Sequence, residues 1–599
     1  MATTSTPLLL SYCLTCALLA GQRIPTAAAQ RQAPTPTFSL SRQAQLAQGP
    51  VLSTQPSGQD GRPGKPAPVA TLLSPISDED DLFSQCVAKV GDVNADGYAD
   101  VVVGAYGTNQ HRGQAYLYLG SRLGLAPTPS CTLPNPGTSA DYFGASVAGV
   151  GDVNGDGYAD VLIGAYGTGQ QQGKAYLYLG SQLGLAQAPS VGLSDPGAKK
   201  YGSFGSSLAG VGDVNGDGYA DALVGSGCVY EGQQGQFGQA YLYLGGRAGL
   251  AAMPHTTFID PGKQAGNSFG QSVAGAGDVN KDGYADLLIG APNTTASQGR
   301  AYLYLGRRQG PAAVPAQLLE TPAPTSTNLF GFSVAGAGDV DHDGYADVLV
   351  GAYGTGHQPG QAYVYRGGAT GLSPKPVATL KSPDSRAGDL FGACVTGIGD
   401  FNQDGYADVA VGGNSPTGSA GAAYLYFGSS LGLSTFPNYT LRPPTSTALT
   451  FFSNSISGVG DVNGDGTADL LIGAYDINMG QGAAHLYLGE PKNTPPTTQL
   501  RQQAASTGLA PTRAVEWGLT AYPNPYQGGL QAQLTTPEAG TVSLLLLDAT
   551  GRQLVQQQQA VVAGSQLLQL NLSQPLPAGV YLLLVRQNTH SGTVRLLHN

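Results

Sequence analysis

The sequence is poor in charge. Asp, Glu, Lys and Arg supply 11% of the 599 residues, less than half of the ~25% that is usual in soluble proteins. This scarcity argues against long helices with charged outer faces. The 28 basic residues are outnumbered by 39 acidic ones, which gives a formal net charge of -11. Binding to a phosphate backbone requires a basic surface, so we expect no nucleic-acid partner.

Cysteine is also scarce. Two of the six cysteines lie in an apolar N-terminal stretch, and the other four are spread over more than 300 residues. Such wide spacing excludes the dense disulfide framework of small secreted domains. The four outside the N-terminal stretch are Cys86, Cys131, Cys228 and Cys394.

Long apolar runs are limited to that N-terminal stretch. Residues 8–20 read LLLSYCLTCALLA and are followed by small residues up to Ala29. This pattern predicts a secretory signal peptide over residues 1–29. A misassigned start is the alternative, because no Lys or Arg precedes the stretch and Arg23 follows it. No other run reaches the ~18 apolar residues of a membrane span, so we expect no transmembrane segment.

Glycine, in contrast, is abundant. The chain has 89 Gly and 40 Pro, together about 22% of residues, below the ~25 to 30% typical of low-complexity disorder. Its hydrophobic content of 41% is enough for a core. The composition therefore predicts a folded, turn-rich, all-β protein.

A nonapeptide of the form DxNxDGxxD occurs seven times, with Asp in place of Asn in the fifth copy. We call these copies loops one to seven; they start at residues 92, 152, 213, 278, 339, 400 and 461, at spacings of 60 to 65 residues. A Phe stands nine residues before each loop, and an aliphatic run such as VLIGA and then a run such as AYLYLG follow it. These three segments predict three short strands, and a fourth, outer segment such as PVATL predicts another. Four strands per repeat are typical of a propeller blade.

The N-terminal segment of the repeat region predicts how a ring would close. PVATLLSPISDEDDLF at residue 68 matches PVATLKSPDSRAGDLF at residue 376, and no comparable strand follows the last repeat. We therefore expect the strand at 69–73 to complete blade seven and remove an open sheet edge. A solenoid is the alternative and would require distinct capping repeats.

These repeats resemble the FG-GAP propeller of integrin alpha subunits. The resemblance rests on the Phe-Gly start, the DxNxDGxxD loop and a Gly-Ala-Pro position at residues 290–292. No inserted domain interrupts the repeats, so the chain is most similar to free-standing bacterial propellers of this kind. The departures are Ser84 and Ser453 in place of the Gly after Phe, residues 225–227 in blade three and residues 412–414 in blade six.

The seven loops predict calcium sites. Each places oxygen-bearing side chains at positions one, three, five and nine and Gly at position six, and hard oxygen ligands at this density suit Ca²⁺. An EF-hand would need Glu at position twelve, where loops one and two have Val103 and Ile163. The resemblance implies that four side chains and the position-seven carbonyl bind each of up to seven structural Ca²⁺ ions. The implied ligands are Asp92, Asn94, Asp96, Tyr98, Asp100; Asp152, Asn154, Asp156, Tyr158, Asp160; Asp213, Asn215, Asp217, Tyr219, Asp221; Asp278, Asn280, Asp282, Tyr284, Asp286; Asp339, Asp341, Asp343, Tyr345, Asp347; Asp400, Asn402, Asp404, Tyr406, Asp408; and Asp461, Asn463, Asp465, Thr467, Asp469.

Electrostatic repulsion favours this interpretation over plain polar turns. Two like charges ~4 Å apart repel by about 1 kcal/mol in water and about 4 kcal/mol at an effective dielectric of 20. Three carboxylates make three such pairs, so an empty loop is expected to carry roughly 3 to 12 kcal/mol of repulsion. The loops contain 22 of the 39 acidic residues, three in six loops and four in loop five. Seven Ca²⁺ ions would therefore change the formal net charge from -11 to +3.

No catalytic constellation is found. The seven His residues form no H-E-x-x-H pair, and GSSLG at 428–432 matches the G-x-S-x-G pattern only as one of several equivalent turns, such as GSRLG at 120. The tyrosines recur in strand three and at loop position seven, which indicates packing rather than glycan stacking. We therefore predict no enzyme activity and no organic cofactor.

A second domain is predicted at the C-terminus. After a Pro-, Thr- and Gln-rich linker, residues 519–599 contain YPNP, a DATGR turn and LPAGVYLLLVR, the pattern of a small β-sandwich. Their order resembles the type A sorting domain of the type IX (Por) secretion system; a plain adhesive sandwich is the alternative. The resemblance implies contact with that secretion machinery and a secreted or outer-surface location in a Gram-negative bacterium.

The sequence thus predicts five segments and one general function. The segments are a signal peptide at 1–29, a disordered linker at 30–66, a seven-bladed propeller at 67–490, a flexible linker at 491–518 and a sorting domain at 519–599. We expect a calcium-stabilised binding or adhesion scaffold for an extracellular protein or glycan; a calcium-dependent lectin or polysaccharide-active enzyme is the alternative. Specificity is expected on the face away from the metals, near His111, in residues 226–237 and in the acidic segment 77–81.

Overall fold

The protein structure, a computed structural model, describes most of residues 66–490 and the strands between residues 518 and 598. Within the first range the described residues exclude 77–80, 198–201, 228–237, 263–265, 295–297, 323–327, 355–359, 384–388, 414–420, 445–450 and 476–481. Within the second they exclude 523–530, 537–538, 549–552, 562–563, 570–578 and 588–589. The predicted signal peptide and nearly all of both predicted linkers lie outside the described residues.

Seven four-stranded antiparallel sheets account for the described part of the repeat region, and we call them blades one to seven. Their strands are given from the inside outward. Blade one consists of Phe83–Gly91, Asp100–Ala105, Gln114–Tyr118 and Cys131–Pro134, and blade two of Ser146–Gly151, Asp160–Ala165, Lys174–Tyr178 and Val191–Ser194. Blade three consists of Ser207–Gly212, Asp221–Ser226, Gln239–Tyr243 and Thr256–Ile259, and blade four of Ser272–Gly277, Asp286–Ala291, Arg300–Tyr304 and Gln317–Glu320. Blade five consists of Ser333–Gly338, Asp347–Ala352, Gln361–Tyr365 and Ala378–Lys381, and blade six of Cys394–Gly399, Asp408–Gly413, Ala422–Tyr426 and Tyr439–Leu441. Blade seven consists of Phe452–Gly460, Asp469–Ala474, Ala483–Tyr487 and Ala70–Leu73.

The seven sheets form a closed ring. Each innermost strand contacts the innermost strands of both neighbouring blades, and the innermost strands of blades one and seven contact each other in the same way. An arrangement of radial four-stranded sheets around a common centre is a β-propeller. The predicted all-β propeller fold is therefore confirmed, and the described residues contain seven such sheets.

The hydrophobic core lies between adjacent blades. All six residues of the second strand Asp160–Ala165 are buried, because the sheet packs against a neighbour on each of its two faces. This is why the second strands read as continuous apolar runs instead of alternating ones. The repeated Phe is fully buried, and the ring of Phe143 lies 5.9 Å from that of Tyr176 in the third strand. The interpretation of these tyrosines as packing residues is confirmed.

The strand Ala70–Leu73 closes the ring as predicted. It pairs antiparallel with the third strand of blade seven, with Leu72 opposite Ala484. Leu72 is fully buried. The Thr71 hydroxyl lies 3.0 Å from Nδ1 of His485, whose pKa burial lowers to about 4. Blade seven therefore combines the two ends of the repeat region in one sheet.

The two departures from Phe-Gly lie at this closure. Ser84 and Ser453 adopt φ values of 68° and 72°, the left-handed region that usually favours glycine. The Ser84 hydroxyl donates to the carbonyl of Ala483 in blade seven at 2.7 Å, and that of Ser453 donates to Ala422 in blade six at 2.8 Å. These bonds between blades compensate for the backbone strain, so the departures leave the fold intact.

The C-terminal unit is a two-sheet structure. One sheet contains Gly518–Tyr522, Gln531–Thr536 and Gly564–Gln569, and the other contains Gln553–Val561, Gly540–Asp548, Gly579–Gln587 and His590–His598. Leu534 and Leu568 of the first sheet share a core with Val542, Leu544 and Leu583 of the second. Two sheets around one core form the small β-sandwich that the sequence predicts.

Neighbouring leucines test the closure. Replacing Leu72 by Ala should destabilise the propeller by about 2 to 5 kcal/mol, the usual cost of a large-to-small change in a core. Leu73→Ala is the matched control, because Leu73 is 57% exposed on the same strand, and its melting temperature should stay near that of the parent. Equal melting temperatures for the two variants would show that the strand does not complete blade seven.

Candidate metal loops and the opposite face

The seven loops connect the first and second strands of their blades, so all of them lie on one face of the ring, which we call the loop face. In loop one, the two carboxylate oxygens of Asp92 accept hydrogen bonds from the amides of Asp96 (3.0 Å) and Gly97 (2.7 Å). Asp96 in turn accepts one from the amide of Tyr98 at 3.0 Å. Gly97 has φ 92°, which explains the invariant Gly at position six among the seven loops.

The position-nine aspartates are fully buried. Asp100 accepts hydrogen bonds from the amides of Val93 within its own loop and Gly120 in the turn between strands three and four, both at 2.8 Å. The equivalent pairs of bonds occur in the other six loops. The position-nine carboxylate therefore joins each loop to the neighbouring turn on the same face.

Burial raises the pKa of every position-nine aspartate. The pKa of Asp100 rises from 3.8 to about 7, because desolvation and the charges of Asp96 and Asp92 outweigh the two amide hydrogen bonds. The same balance holds in the other loops. The values are about 6 for Asp160 and Asp221 and about 7 for Asp286, Asp347, Asp408 and Asp469.

Position three separates loop five from the rest. In loop one, Asn94 donates from its side-chain amide to Asp96 at 2.9 Å, and the other asparagine loops repeat this bond. Loop five has Asp341 instead, and one oxygen each of Asp339, Asp341 and Asp347 lie within 4.8 Å of one another. Among the described residues, only loop five brings three carboxylates this close together.

The donor chemistry of the loops fits Ca²⁺. Carboxylate, amide and backbone oxygens are the ligands that this ion prefers, and in loop five the ligand atoms already converge. The expected repulsion of 3 to 12 kcal/mol in an empty loop is nevertheless too high. Each of the three aspartates in loop one accepts hydrogen bonds from backbone or side-chain N–H groups, and these offset part of the repulsion without an ion.

Hydrogen bonds also connect the loops to one another. The amide of Ala159, at position eight of loop two, donates to the carbonyl of Asp92, at position one of loop one, at 3.0 Å. The same bond recurs between every consecutive pair of loops, and Ala99 closes the circle by donating to Asp461 at 2.9 Å. The donors are Ala99, Ala159, Ala220, Ala285, Ala346, Ala407 and Ala468. The loop face is therefore a closed ring of seven inter-blade hydrogen bonds.

The opposite face has a cavity at the centre of the ring. It has a volume of about 320 Å³ and is lined by the first residues of the innermost strands from all seven blades. No charged side chain is among its described lining residues. Two buried oxygens there, Oε1 of Gln85 and Oγ of Ser206, have no hydrogen-bond partner. Phe332, Tyr353 and Tyr475 supply aromatic walls in blades five and seven.

The loops predicted to carry specificity are only partly described. Residues 228–237 and 77–80 lie outside the described residues. His111 ends the single-turn segment Thr108–His111, in which three consecutive residues have left-handed φ values of 53° to 65°. Such strain at non-glycine residues costs about 1 to 3 kcal/mol each and often marks a functional site. A similar single turn, Thr168–Gln171, occupies the same position in blade two.

The GSSLG string is a turn without nucleophilic geometry. The Ser429 hydroxyl donates to the carbonyl of Gly432 at 2.7 Å, and Ser121 and Ser181 make the same bond in the equivalent turns. Its hydroxyl therefore stabilises a turn on the loop face.

Three candidate functional residues were not predicted from the sequence and are identified by the structure. Arg366 contacts Asp341, and Gln85 and Ser206 meet at the central cavity. Arg366 could have been noticed in the sequence, because the other six blades have Leu or Phe at the equivalent position. The cavity residues had no such signal, because they come together only when the ring closes.

Comparison with known families identifies both parts of the chain. FG-GAP repeat profiles match residues 269–304 and 330–365, and FG-GAP-like repeat profiles match 92–163, 152–224 and 400–472. A secretion system C-terminal sorting domain matches residues 520–599. The chain therefore contains FG-GAP repeats followed by a secretion sorting domain, and the latter indicates secretion or an outer-surface location.

Curated relatives include integrin alpha subunits. The chain is 41% identical to mouse integrin alpha-IIb over 156 residues, which is 25% of this chain and 15% of the integrin. It is 29% identical to chicken integrin alpha-8 over 330 residues, 50% of this chain and 30% of the integrin. The chain thus spans less than a third of the length of these relatives. The solved Dos1 propeller aligns with a TM-score of 0.35 and 13% identity, over 66% of this chain and 77% of that one, a similarity too low to support further conclusions.

Among the described residues, no helix is long and apolar enough to cross a membrane.

The raised pKa values predict an unusual pH dependence for the metal-free protein. A position-nine carboxyl holds its proton to a higher pH in the fold than in the unfolded chain, where its pKa is near 3.8. Its contribution to stability is therefore present below pH 4 and lost as the pH rises to about 7. Thermal unfolding of metal-free protein should give a melting temperature that falls between pH 4 and pH 7.

Two comparisons make this measurement specific. Asp100→Asn, which cannot ionise, should reduce the decline, and saturating Ca²⁺ should suppress it because a cation favours the ionised carboxylates. A melting temperature of the metal-free protein that rises steadily from pH 4 to pH 7 would contradict the role assigned to these buried carboxyls.

Proposed function

We propose that the protein is a secreted or cell-surface scaffold whose propeller is stabilised by Ca²⁺ on the loop face and binds an extracellular ligand on the opposite face. The observation that carries this proposal is the contrast between the two faces. The loop face repeats the same hydrogen bonds seven times. On the opposite face, the cavity residues two positions after the repeated Phe vary among the blades, as Gln85, Ala145, Ser206, Gln271, Phe332, Ala393 and Asn454. Repetition suits a structural role, and recognition requires asymmetry.

Calcium is proposed as a structural ion. In each loop one hairpin would supply all the ligands: the carboxylates at positions one, five and nine, the side chain at position three and the position-seven carbonyl. The ion would add positive charge where the charges of Asp96 and Asp92 add to burial in raising the pKa of Asp100. Because the related loops lie together on one face, we assign them to stability and not to catalysis.

The proposed activity is binding without chemistry. In the described cavity the polar groups are hydroxyls, amides and the thiol of Cys86, whose pKa burial raises to about 11, and none is a carboxylate, imidazole or ammonium group. Its volume of about 320 Å³ is at the lower end of ligand pockets, which hold roughly 300 to 1,000 Å³. Contact with the secretion machinery is assigned to the C-terminal sorting domain.

A lectin is the second candidate, and the lining of the cavity favours it. Ser and Gln side chains can exchange hydrogen bonds with sugar hydroxyls, and the rings of Tyr353 and Tyr475 offer apolar surfaces beside them. A neutral saccharide matches this combination better than an acidic peptide does, since no cationic side chain is among the described lining residues.

Chelation tests the structural calcium. Removing Ca²⁺ should lower the melting temperature, because an ion that binds only the native state stabilises it by about 2.7 kcal/mol per site at 100 times its dissociation constant. An unchanged melting curve in excess chelator would reject the metal assignment.

A single-loop variant tests whether each loop supplies its own ligands. Asp156→Ala should lower the number of bound Ca²⁺ ions by one and leave the other sites with nearly parental affinity. Lys281→Ala is the matched control, because Lys281 occupies the non-ligand position four of loop four and should leave the stoichiometry unchanged. Loss of several ions in Asp156→Ala would show that the sites depend on one another.

Binding through the cavity is tested with an array of neutral glycans and extracellular-matrix proteins, probed with the purified full chain in Ca²⁺. Ser206→Phe should fill the cavity and reduce binding at least tenfold, whereas Leu123→Ala, at a side chain 96% exposed on the loop face, should not. Unchanged binding by Ser206→Phe would place the ligand elsewhere. Turnover of a bound polysaccharide would instead support the enzyme alternative.

A further inference from the structure

Blade five combines two departures from the repeat. Asp341 replaces Asn at loop position three, and Arg366 follows the third strand where the other blades have an apolar residue. The apolar residues are Leu119, Leu179, Leu244, Leu305, Phe427 and Leu488. In the structure the two unusual residues meet, with Nη2 of Arg366 2.5 Å from Oδ2 of Asp341. The two departures therefore form one contact.

The charges of the pair cancel. Loop five contains four carboxylates where each other loop contains three, and Arg366 adds one positive charge. Loop five together with its arginine therefore carries a formal charge of -3, the same as every asparagine loop except loop four, where Lys281 makes it -2. The blade gains a further carboxylate without an increase in the net negative charge of the loop and its arginine.

The second oxygen of Asp341 is buried within loop five. The Asp341 side chain is only 4% exposed, and its Oδ1 atom is buried without a hydrogen-bond partner. The carboxylates of Asp339 and Asp347 each place an oxygen within the same 4.8 Å cluster. One oxygen of Asp341 is thus held by Arg366, and the carboxylate offers the other to a cation.

We propose that Arg366 is the counter-charge and positioning residue of loop five: it holds Asp341 as an anionic ligand and stabilises this loop when no cation is bound. Hydrogen bonds to a ligating carboxylate commonly fix its orientation in metal sites. The inference rests on the proposed binding of cations by the loops. It distinguishes loop five from the other six, in which position three is a neutral Asn whose side-chain amide donates to the position-five Asp.

The role predicts an effect that depends on the metal. Without Arg366, Asp341 would face Asp339 and Asp347 with no positive partner, and a bound divalent cation would supply the missing charge. Arg366→Leu should therefore lower the melting temperature by about 2 °C or more in excess chelator, and by clearly less in saturating Ca²⁺. Arg366→Lys keeps the charge but loses the planar fork, so its loss in chelator should be smaller.

A double-mutant cycle isolates the pair. Asp341→Asn combined with Arg366→Leu recreates the arrangement of the other six loops, so the double variant should melt in chelator near the parental temperature. Each single variant should melt lower, because it leaves one charge of the pair without its partner. The same four proteins are measured in chelator and in Ca²⁺, with bound Ca²⁺ counted in each.

The outcomes separate this inference from the proposed function. Equal losses for Arg366→Leu in chelator and in Ca²⁺ would show that Arg366 only packs, and additive single losses in the cycle would show that the pair is not coupled; either result overturns the inference. A parent protein that neither binds nor responds to Ca²⁺ would reject the calcium proposal and the ligand role of Asp341. Coupling in chelator would then support only an ion pair.

Discussion

A circle of seven backbone hydrogen bonds between successive loops is the constraint on which the propeller depends. Each bond runs from the position-eight amide of one loop to the position-one carbonyl of the preceding loop, at 2.9 to 3.4 Å. The same position-one aspartate also folds its own loop through its side chain, as Asp92 does with Asp96 and Gly97. Loop conformation and contact between blades are therefore set by the same residues, and a cation bound in a loop would act on both.

This constraint accounts for the different character of the two faces. The aspartates and the glycine of each loop fix the backbone that bonds to the neighbouring blade, so the same nonapeptide recurs with few changes at these positions. On the opposite face the innermost strands only begin, and their first side chains differ from blade to blade around the cavity. Loop five shows how a change is tolerated on the constrained face: the added charge of Asp341 occurs together with Arg366.

Much of the fold follows from the sequence because the repeat is local. The regular spacing of the loops predicted the sheets, and the match between residues 68 and 376 predicted the strand that pairs Leu72 with Ala484. Contacts with backbone groups, or between side chains distant in sequence, were beyond such reasoning. Arg366 reaches Asp341 across 25 residues of sequence, and the amide partners of each loop carboxylate come from the backbone, which no residue pattern reveals. The sequence argument therefore overestimated the repulsion in an empty loop.

Amide hydrogen exchange of the position-eight alanines, measured on the full chain with and without Ca²⁺, tests the central claim most directly. The account predicts that these amides are protected in both conditions, because they donate across blades, and that Ca²⁺ slows their exchange further in every loop it occupies. Exchange at the rate of an unstructured peptide, in both conditions, would contradict the ring of hydrogen bonds. Protection that is unaffected by Ca²⁺ would separate the ring from any role of the metal.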